Sequence, residues 1–155
     1  MSIVRTPHPV GICGFTGTSR VPGMAPRQLK TVRQLLYDVT ELHLGDCVNA
    51  DAQAHVEALH LGIKTVGHPP SESGRRAFCT YDEEREPKPY LERNHDIANS
   101  GIDGLIAAPN GWAEEQRSGT WATIRHARKL KRKIWIVRPD GTVNVEINDK
   151  PDGTR

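Results

Sequence analysis

Short apolar runs alternate along this chain with segments of helical periodicity, and this alternation constrains the fold more than any other feature. Apolar runs of strand length lie at 10–15, 41–44, 63–66, 102–108 and 133–137. Helices are predicted between them, at 26–38, 49–60, 89–99 and 118–130. Strands that alternate with helices run parallel and are joined by right-handed crossovers. The sequence therefore predicts an α/β fold: a three-layer Rossmann-like domain with a mostly parallel five-stranded sheet, to which residues 143–147 could add an edge strand.

Length and composition limit what the chain can be. Its 155 residues are the length of one domain, for which we expect a core over 10–138 and a frayed tail over 148–155. A net charge of +2 gives no general reason to expect nucleic acid or a membrane as a partner. The three cysteines form no CxxC pair, so neither a disulfide framework nor a zinc site is indicated. We expect a cytoplasmic protein without a metal or a cofactor.

Residues 68–89 interrupt the pattern. The segment is rich in proline and charge and has no apolar periodicity. Loops of about 20 residues are uncommon in compact domains unless they are functional or disordered. The loop could close over a ligand, with Arg75 and Arg76 on a phosphate and Phe78 or Tyr81 on a base, or it could be a disordered surface insert.

Glycine, hydroxyl and charged residues follow the first, second and fourth predicted strands. Ligands of parallel sheets bind outside the carboxyl ends of the strands, so these loops are expected to meet at one rim. Exposed N–H groups, hydroxyls, arginine forks and a helix N-terminus at Ser118 suit a phosphate. The same residues also suit plain turns, N-caps and a solvated arginine. The expected ligand-binding residues are Gly14, Thr16, Gly17, Thr18, Ser19, Arg20, Gly45, Asp46, Arg93, Asn94, Pro109, Ser118, Gly119 and Thr120.

The order of the motifs resembles one superfamily. The chain reads GFTGTSR, GDCVNADA, YLERNHDIA, DGLIAAP and RSGTWATIRHARKLKRKIWIV between residues 14 and 137. This order is similar to that of the SLOG superfamily of Rossmann-like domains. The superfamily includes the Lonely Guy cytokinin phosphoribohydrolases, the lysine-decarboxylase-like proteins and the DNA-processing protein A fold. The resemblance covers residues 10–138 and implies a nucleotide-type ligand and, by analogy, a homodimer.

The chain departs from the Lonely Guy pattern at the catalytic positions. Those proteins carry an arginine–lysine pair before the fourth strand and PGGxGTxxE after it, whereas here the pair is Arg93-Asn94 and Thr123 takes the place of the glutamate. Nucleoside deoxyribosyltransferases, a related Rossmann-like group, also use a glutamate shortly after a GT, and Thr123 departs from that pattern too. Cleavage of an N-glycosidic bond needs a carboxylate. Glu114, Glu115 or Asp51 could replace it, although each also suits a solvated or dipole-stabilised charge.

Three functions are consistent with these residues. We favour a module that binds a nucleotide, a nucleotide sugar or a cyclic nucleotide. The alternative is a nucleoside or nucleotide N-glycosidase, such as a phosphoribohydrolase, or a deoxyribosyltransferase-like enzyme. A DNA-binding protein is the third, and it draws only on the basic residues between 125 and 133, which also suit a helix C-terminus.

Overall fold

The apolar runs pair into one sheet of seven strands in the computed structural model of the chain, which describes residues 7–147. The strands are β1 (Gly11–Gly17), β2 (Val39–Leu44), β3 (Lys64–Gly67), β4 (Glu83–Glu84), β5 (Gly104–Ala108), β6 (Lys133–Val137) and β7 (Val143–Glu146). Their order across the sheet is β4-β3-β2-β1-β5-β6-β7. All neighbours are parallel except β6 and β7. The predicted α/β, Rossmann-like class is confirmed, with two strands in addition to the five of the predicted central sheet.

Four helices connect the strands. They are α1 (Pro26–Leu35), α2 (Ala50–His60), α3 (Tyr90–Asn99) and α4 (Gly119–Lys129). The first is shorter than predicted because a 3-10 turn at Leu36–Asp38 ends it before β2. The predicted tail over 148–155 lies outside the described residues. None of the helices in the described part of the chain has the length and apolarity that a membrane crossing needs.

Side chains of β5 show how the three layers form, because successive residues of a strand point to opposite faces. Ile106 and Ala108 pack with Val32 of α1 and Ala54 of α2 on one face. Leu105 and Ala107 pack on the other face with residues of the α3 and α4 layer, such as Ile124. The sheet is thus covered on both sides, as expected for a parallel sheet.

The small residues of α2 bring that helix close to the sheet. Ala50, Ala54 and Ala58 are fully buried. At the start of the helix, Ala50 N donates to Thr18 O at 3.1 Å, and a Cβ on Gly17 would lie 2.6 Å from the Cβ of Ala50. Glycine at position 17 therefore allows the end of β1 and the start of α2 to touch.

The segment 68–89 is folded against the sheet. It contains a 3-10 turn at Ser73–Arg75 and the two residues of β4. Single bridges join Cys47 to Arg76 and Pro70 to Lys88. Its second half extends the sheet beside β3, which accounts for one of the two additional strands. The other, β7, lies where an edge strand over 143–147 was expected.

Candidate functional site

A cavity of about 900 Å³ opens at the carboxyl ends of the central strands. The chain moves outward from β1 to β2 and β3, then returns to the other side of β1 with β5. Such a reversal leaves a crevice between β1 and β5, and a crevice of this kind is the usual ligand site of open α/β sheets. Gly17, Gly45 and Asn110, which end or follow β1, β2 and β5, all line the cavity. The expectation that loops from three strands meet at one rim therefore agrees with the geometry.

Most of the expected ligand-binding residues line this cavity. They are Thr16, Gly17, Thr18, Ser19, Arg20, Gly45, Arg93, Asn94, Ser118, Gly119 and Thr120. Residues 16–20, which we call the first loop, are held from within and from α2. Thr18 Oγ1 accepts a hydrogen bond from Arg20 N at 3.1 Å, and Asn49 Nδ2 donates to Ser19 O at 2.6 Å. These bonds fix the course of the loop along the cavity.

The N-terminus of α4 forms the opposite wall. Ser118 is the N-cap, and its Oγ accepts from Trp121 N at 3.3 Å. Gly119 is exposed and lines the cavity. A Cβ there would meet only Asn94 Nδ2, at 3.7 Å. The first turn of a helix carries unpaired N–H groups and the positive end of the dipole, so this wall suits an anion.

Asn94 and Arg93 lie side by side on α3 and have different environments. Arg93 Nε donates to Asn94 Oδ1 at 2.8 Å, which turns Asn94 Nδ2 towards Gly119. The rest of the Arg93 guanidinium donates to Gly45 O, His68 O and Cys47 Sγ, so four of its five N–H groups serve the protein. Arg93 was expected to present a free fork to the ligand. Instead it is a buried cation that joins the ends of β2 and β3 to α3.

Asp51 lies in the first turn of α2, faces the cavity, and is only 5% exposed. Its Oδ2 accepts from Cys47 N at 3.1 Å, while its Oδ1 is buried without a hydrogen-bond partner among the described residues. Burial raises the pKa of this carboxyl to about 6, although the charge of Arg93 acts in the opposite direction. Burial, followed by the charge of Asp51, also raises the pKa of the Cys47 thiol.

Arginine is the most frequent charged residue around the cavity. Four arginines and three carboxylates line it: Arg20, Arg75, Arg93 and Arg117 against Asp51, Glu72 and Glu115. Arg20 and Glu115 form an ion pair of 2.9 Å between the first loop and the segment 110–117, so Glu115 occupies part of the fork that we expected to bind phosphate. Arg75 reaches Ser19 Oγ at 3.4 Å.

Asp46, expected at the ligand, holds the 68–89 segment instead. Its side chain is fully buried. It accepts hydrogen bonds from Arg76 Nε at 2.7 Å, Cys79 N at 3.0 Å and Tyr81 Oη at 2.7 Å. Arg76 and Tyr81 are therefore engaged with Asp46, and Phe78 lies against the guanidinium of Arg76 at 4.5 Å. Of the side chains proposed to cover a ligand from this segment, only Arg75 lines the cavity.

Three further residues that were predicted to bind or act on the ligand do not line the cavity. Gly14 is inside β1, where a Cβ would touch Ile97 at 3.0 Å, so it serves packing between β1 and α3. Pro109 offers its carbonyl to Gln28 Nε2 at 2.9 Å. Glu114 forms ion pairs with Arg125 and Arg128. Its carboxylate is committed to α4 and does not line the cavity.

Thr123, which takes the place of the glutamate in the Lonely Guy motif, is a core residue. It is fully buried, and its Oγ1 donates to Gly119 O at 2.9 Å.

In the basic segment between residues 125 and 133, Arg125 and Arg128 form ion pairs with Glu114. Arg128 also pairs with Glu146 at 2.8 Å. These contacts give structural roles to side chains on which the DNA-binding hypothesis depends.

Several cavity residues were not among the ligand-binding residues predicted from the sequence. They are Phe15, Cys47, Glu72, Gly74, Tyr90, Ile97, Asn110 and Arg117. Asn110 and Arg117 lie between Pro109 and Ser118, so their place in the loop was a signal that could have found them. Tyr90 begins α3, and only the packing of α3 beside β1 brings it to the rim. Within residues 7–147, no group of three or more His, Cys, Asp or Glu side chains could hold a metal ion.

No protein-family model matches this chain, and no curated protein matches it. Solved structures do match. The molybdenum cofactor binding protein of the phototrophic bacterium Rippkaea orientalis is 22% identical, with a TM-score of 0.62 over 83% of this chain and 77% of that one. DNA processing protein A of Streptococcus pneumoniae is 18% identical, with a TM-score of 0.56 over 82% of this chain and 50% of that one.

A third similar structure is TM1055, a structural genomics target. It is 15% identical, with a TM-score of 0.58, and the match covers 81% of this chain and 72% of that one. The chain spans half the length of the DNA processing protein A structure. At identities of this level the likeness concerns the fold. The chain shares its Rossmann-like α/β fold with DNA processing protein A and the molybdenum cofactor binding protein.

Proposed function

We propose that this protein binds a nucleotide or a nucleotide derivative, with the ligand's phosphate between the first loop and the N-terminus of α4. One observation carries the proposal: residues 16–20 and 118–120, about 100 positions apart in the sequence, line the same cavity. Each of these segments alone is a common turn or cap. Together they surround one space with amide and hydroxyl donors.

The properties of the cavity support a ligand of this kind. Its volume of about 900 Å³ lies in the range that holds small organic ligands and cofactors. The exposed Gly119 leaves room for an anion against the first turn of α4, where backbone N–H groups bind phosphates. The Nδ2 of Asn94 adds a neutral donor from α3. Arg75 and Arg117 bring positive charge to the rim.

A solved neighbour also supports binding as the role of this fold. The Rippkaea orientalis protein is, by its description, a molybdenum cofactor binding protein. That cofactor therefore belongs in the ligand panel beside nucleotides and ADP-ribose compounds.

Titration calorimetry with Gly119→Ala tests the proposal. Alanine at the first helical position removes the conformational freedom of glycine, which favours the helix by up to about 1 kcal/mol, so the melting temperature should not fall. The new methyl group would project into the anion site, and the affinity for the best nucleotide should drop about tenfold or more, or about 1.4 kcal/mol.

Lys30→Ala is the matched control, since Lys30 is exposed on α1 and does not line the cavity. It should leave the affinity unchanged. The proposed site is wrong if no member of the panel binds the unmodified protein. It is also wrong if Gly119→Ala binds the best nucleotide as tightly as the unmodified protein does.

A second candidate is hydrolysis or transfer at an N-glycosidic bond. The observation that favours it is Asp51, a cavity carboxylate whose pKa is raised to about 6, as suits a group that exchanges protons near neutral pH. Glu115 is a second candidate carboxylate that lines the cavity. Chromatography of nucleoside monophosphates after incubation would show released base. Base release that continues unchanged in Asp51→Asn and in Glu115→Gln would exclude these two residues as the catalytic carboxylates.

A further inference from the structure

We propose that Asp51 Oδ1 accepts a hydrogen bond from a sugar hydroxyl of the ligand, so that the cavity selects phosphorylated sugars or nucleotides whose ribose hydroxyls are intact. This inference rests on the proposed function, because it assumes that a phosphate occupies the space between the first loop and α4. It adds a second contact point, which determines the class of sugar.

The unpaired oxygen of Asp51 motivates the assignment. Buried polar atoms in proteins nearly always have a hydrogen-bond partner. Asp51 is 5% exposed, and its Oδ1 has none in the described part of the chain, although the residue lines the cavity. A bound ligand that donates a hydrogen bond would satisfy it.

The surrounding chain prevents Asp51 from turning away. Its other oxygen, Oδ2, is held by Cys47 N at 3.1 Å. On the other side, a Cβ at Gly45 would lie 3.0 Å from Asp51 Oδ2 and 2.8 Å from Arg93 Nη1. The carboxylate is therefore packed tightly against the backbone that follows β2, with one oxygen committed and one free.

The position of Asp51 favours a hydroxyl next to the phosphate over a group on the base. The residue directly before it, Ala50, donates its N–H to Thr18 O in the first loop at 3.1 Å. Asp51 is thus adjacent to the loop that we assign to phosphate, as the sugar of a nucleotide is adjacent to its 5′-phosphate. In dinucleotide-binding Rossmann domains, an acidic residue about 20 positions after the phosphate-binding turn accepts a hydrogen bond from a ribose hydroxyl. The neighbouring Arg93 cation disfavours a bound metal ion there.

Calorimetry with a graded set of probes tests the inference. The probes are inorganic phosphate, ribose 5-phosphate, adenosine 5′-monophosphate, and the 2′-deoxy and 3′-deoxy analogues of that nucleotide. The unmodified protein should prefer adenosine 5′-monophosphate over at least one deoxy analogue by about tenfold or more, since a hydrogen bond to a charged group contributes at least that much. Ribose 5-phosphate should bind more tightly than inorganic phosphate.

Two variants test whether Asp51 causes the preference for ribose over deoxyribose. Asp51→Ala removes the acceptor. Asp51→Asn keeps the volume, but Cys47 N will hold the amide oxygen, so an NH₂ group replaces the free acceptor. Both variants should bring the ratio of ribose to deoxyribose affinity close to one while the deoxy analogues bind as before. Glu72→Ala, which removes an exposed carboxylate from the same cavity, should keep the preference.

Each outcome has a distinct meaning. Equal affinity of the unmodified protein for all three nucleotides overturns the role of Asp51 and leaves the phosphate site standing. A preference that survives in Asp51→Ala, or an equal loss of affinity for every probe, also overturns it. Failure of all the probes to bind would refute the proposed function itself.

Discussion

The buried carboxylate of Asp51 does not serve the stability of the fold. An ionised carboxylate that is buried with one unpaired oxygen destabilises the folded state. Its raised pKa, about 6 against an ordinary 3.8, expresses the same free energy. Destabilising groups that persist in a cavity are typical of functional sites.

We therefore predict that Asp51→Asn stabilises the protein at pH 7.5. Between pH 3.8 and 6 the folded state binds a proton that the unfolded state has lost, so the contribution of Asp51 to stability decreases as the pH rises and is least favourable above pH 6. At pH 7.5 the asparagine variant should gain up to ~3 kcal/mol in the free energy of unfolding. At pH 4 the gain should be small. Urea denaturation at both pH values measures it.

Glu86→Gln serves as the control for that measurement, because Glu86 is exposed and its removal should change stability little at either pH. A destabilised Asp51→Asn at pH 7.5 would show that the carboxylate is a structural anchor, contrary to our account.

At the scale of elements, the buried carboxylate of Asp46 is a central anchor of the 68–89 segment. Asp46 connects the turn after β2 to Arg76, Cys79 and Tyr81, and backbone bonds from Val48 N to Arg75 O and from Ala77 N to Asp46 O complete the attachment. The segment thereby brings Glu72, Gly74 and Arg75 to the cavity.

Tyr81→Phe should loosen this segment specifically. The variant loses the 2.7 Å hydrogen bond from Tyr81 Oη to Asp46 Oδ1, which as a bond to a charged group contributes about 1.5–3 kcal/mol. Hydrogen exchange of the Ala77 and Cys79 amides should accelerate, while amides of β1 and β5 stay protected. Tyr37→Phe is the control, since Tyr37 is highly exposed. Unchanged exchange in Tyr81→Phe would contradict the anchoring role of Asp46.

The sequence predicted the central elements well because periodicity and burial coincide there. The strand over residues 104–108 is fully buried and apolar, and Ser118 does cap α4. The sequence did not predict β4, since its two glutamates are exposed and its pairing depends on where β3 ends. The role of Asp46 was mistaken for a similar reason: a polar residue after a strand looks the same whether it faces a ligand or holds a distant loop.

At the scale of the whole molecule, the reversal of strand order at β1 and β5 creates the cavity, and separate loops supply its donors. A single-domain chain and a homodimer remain predictions, which limited proteolysis and analytical ultracentrifugation can test.

A crystal structure of the protein soaked with adenosine 5′-monophosphate would show directly where the phosphate binds. We expect the phosphate within hydrogen-bonding distance of the backbone N–H groups of Gly119 or Thr120 and beside residues 16–20. A phosphate bound elsewhere on the molecule, or a nucleotide that enters this cavity with its phosphate directed away from α4, would contradict this expectation.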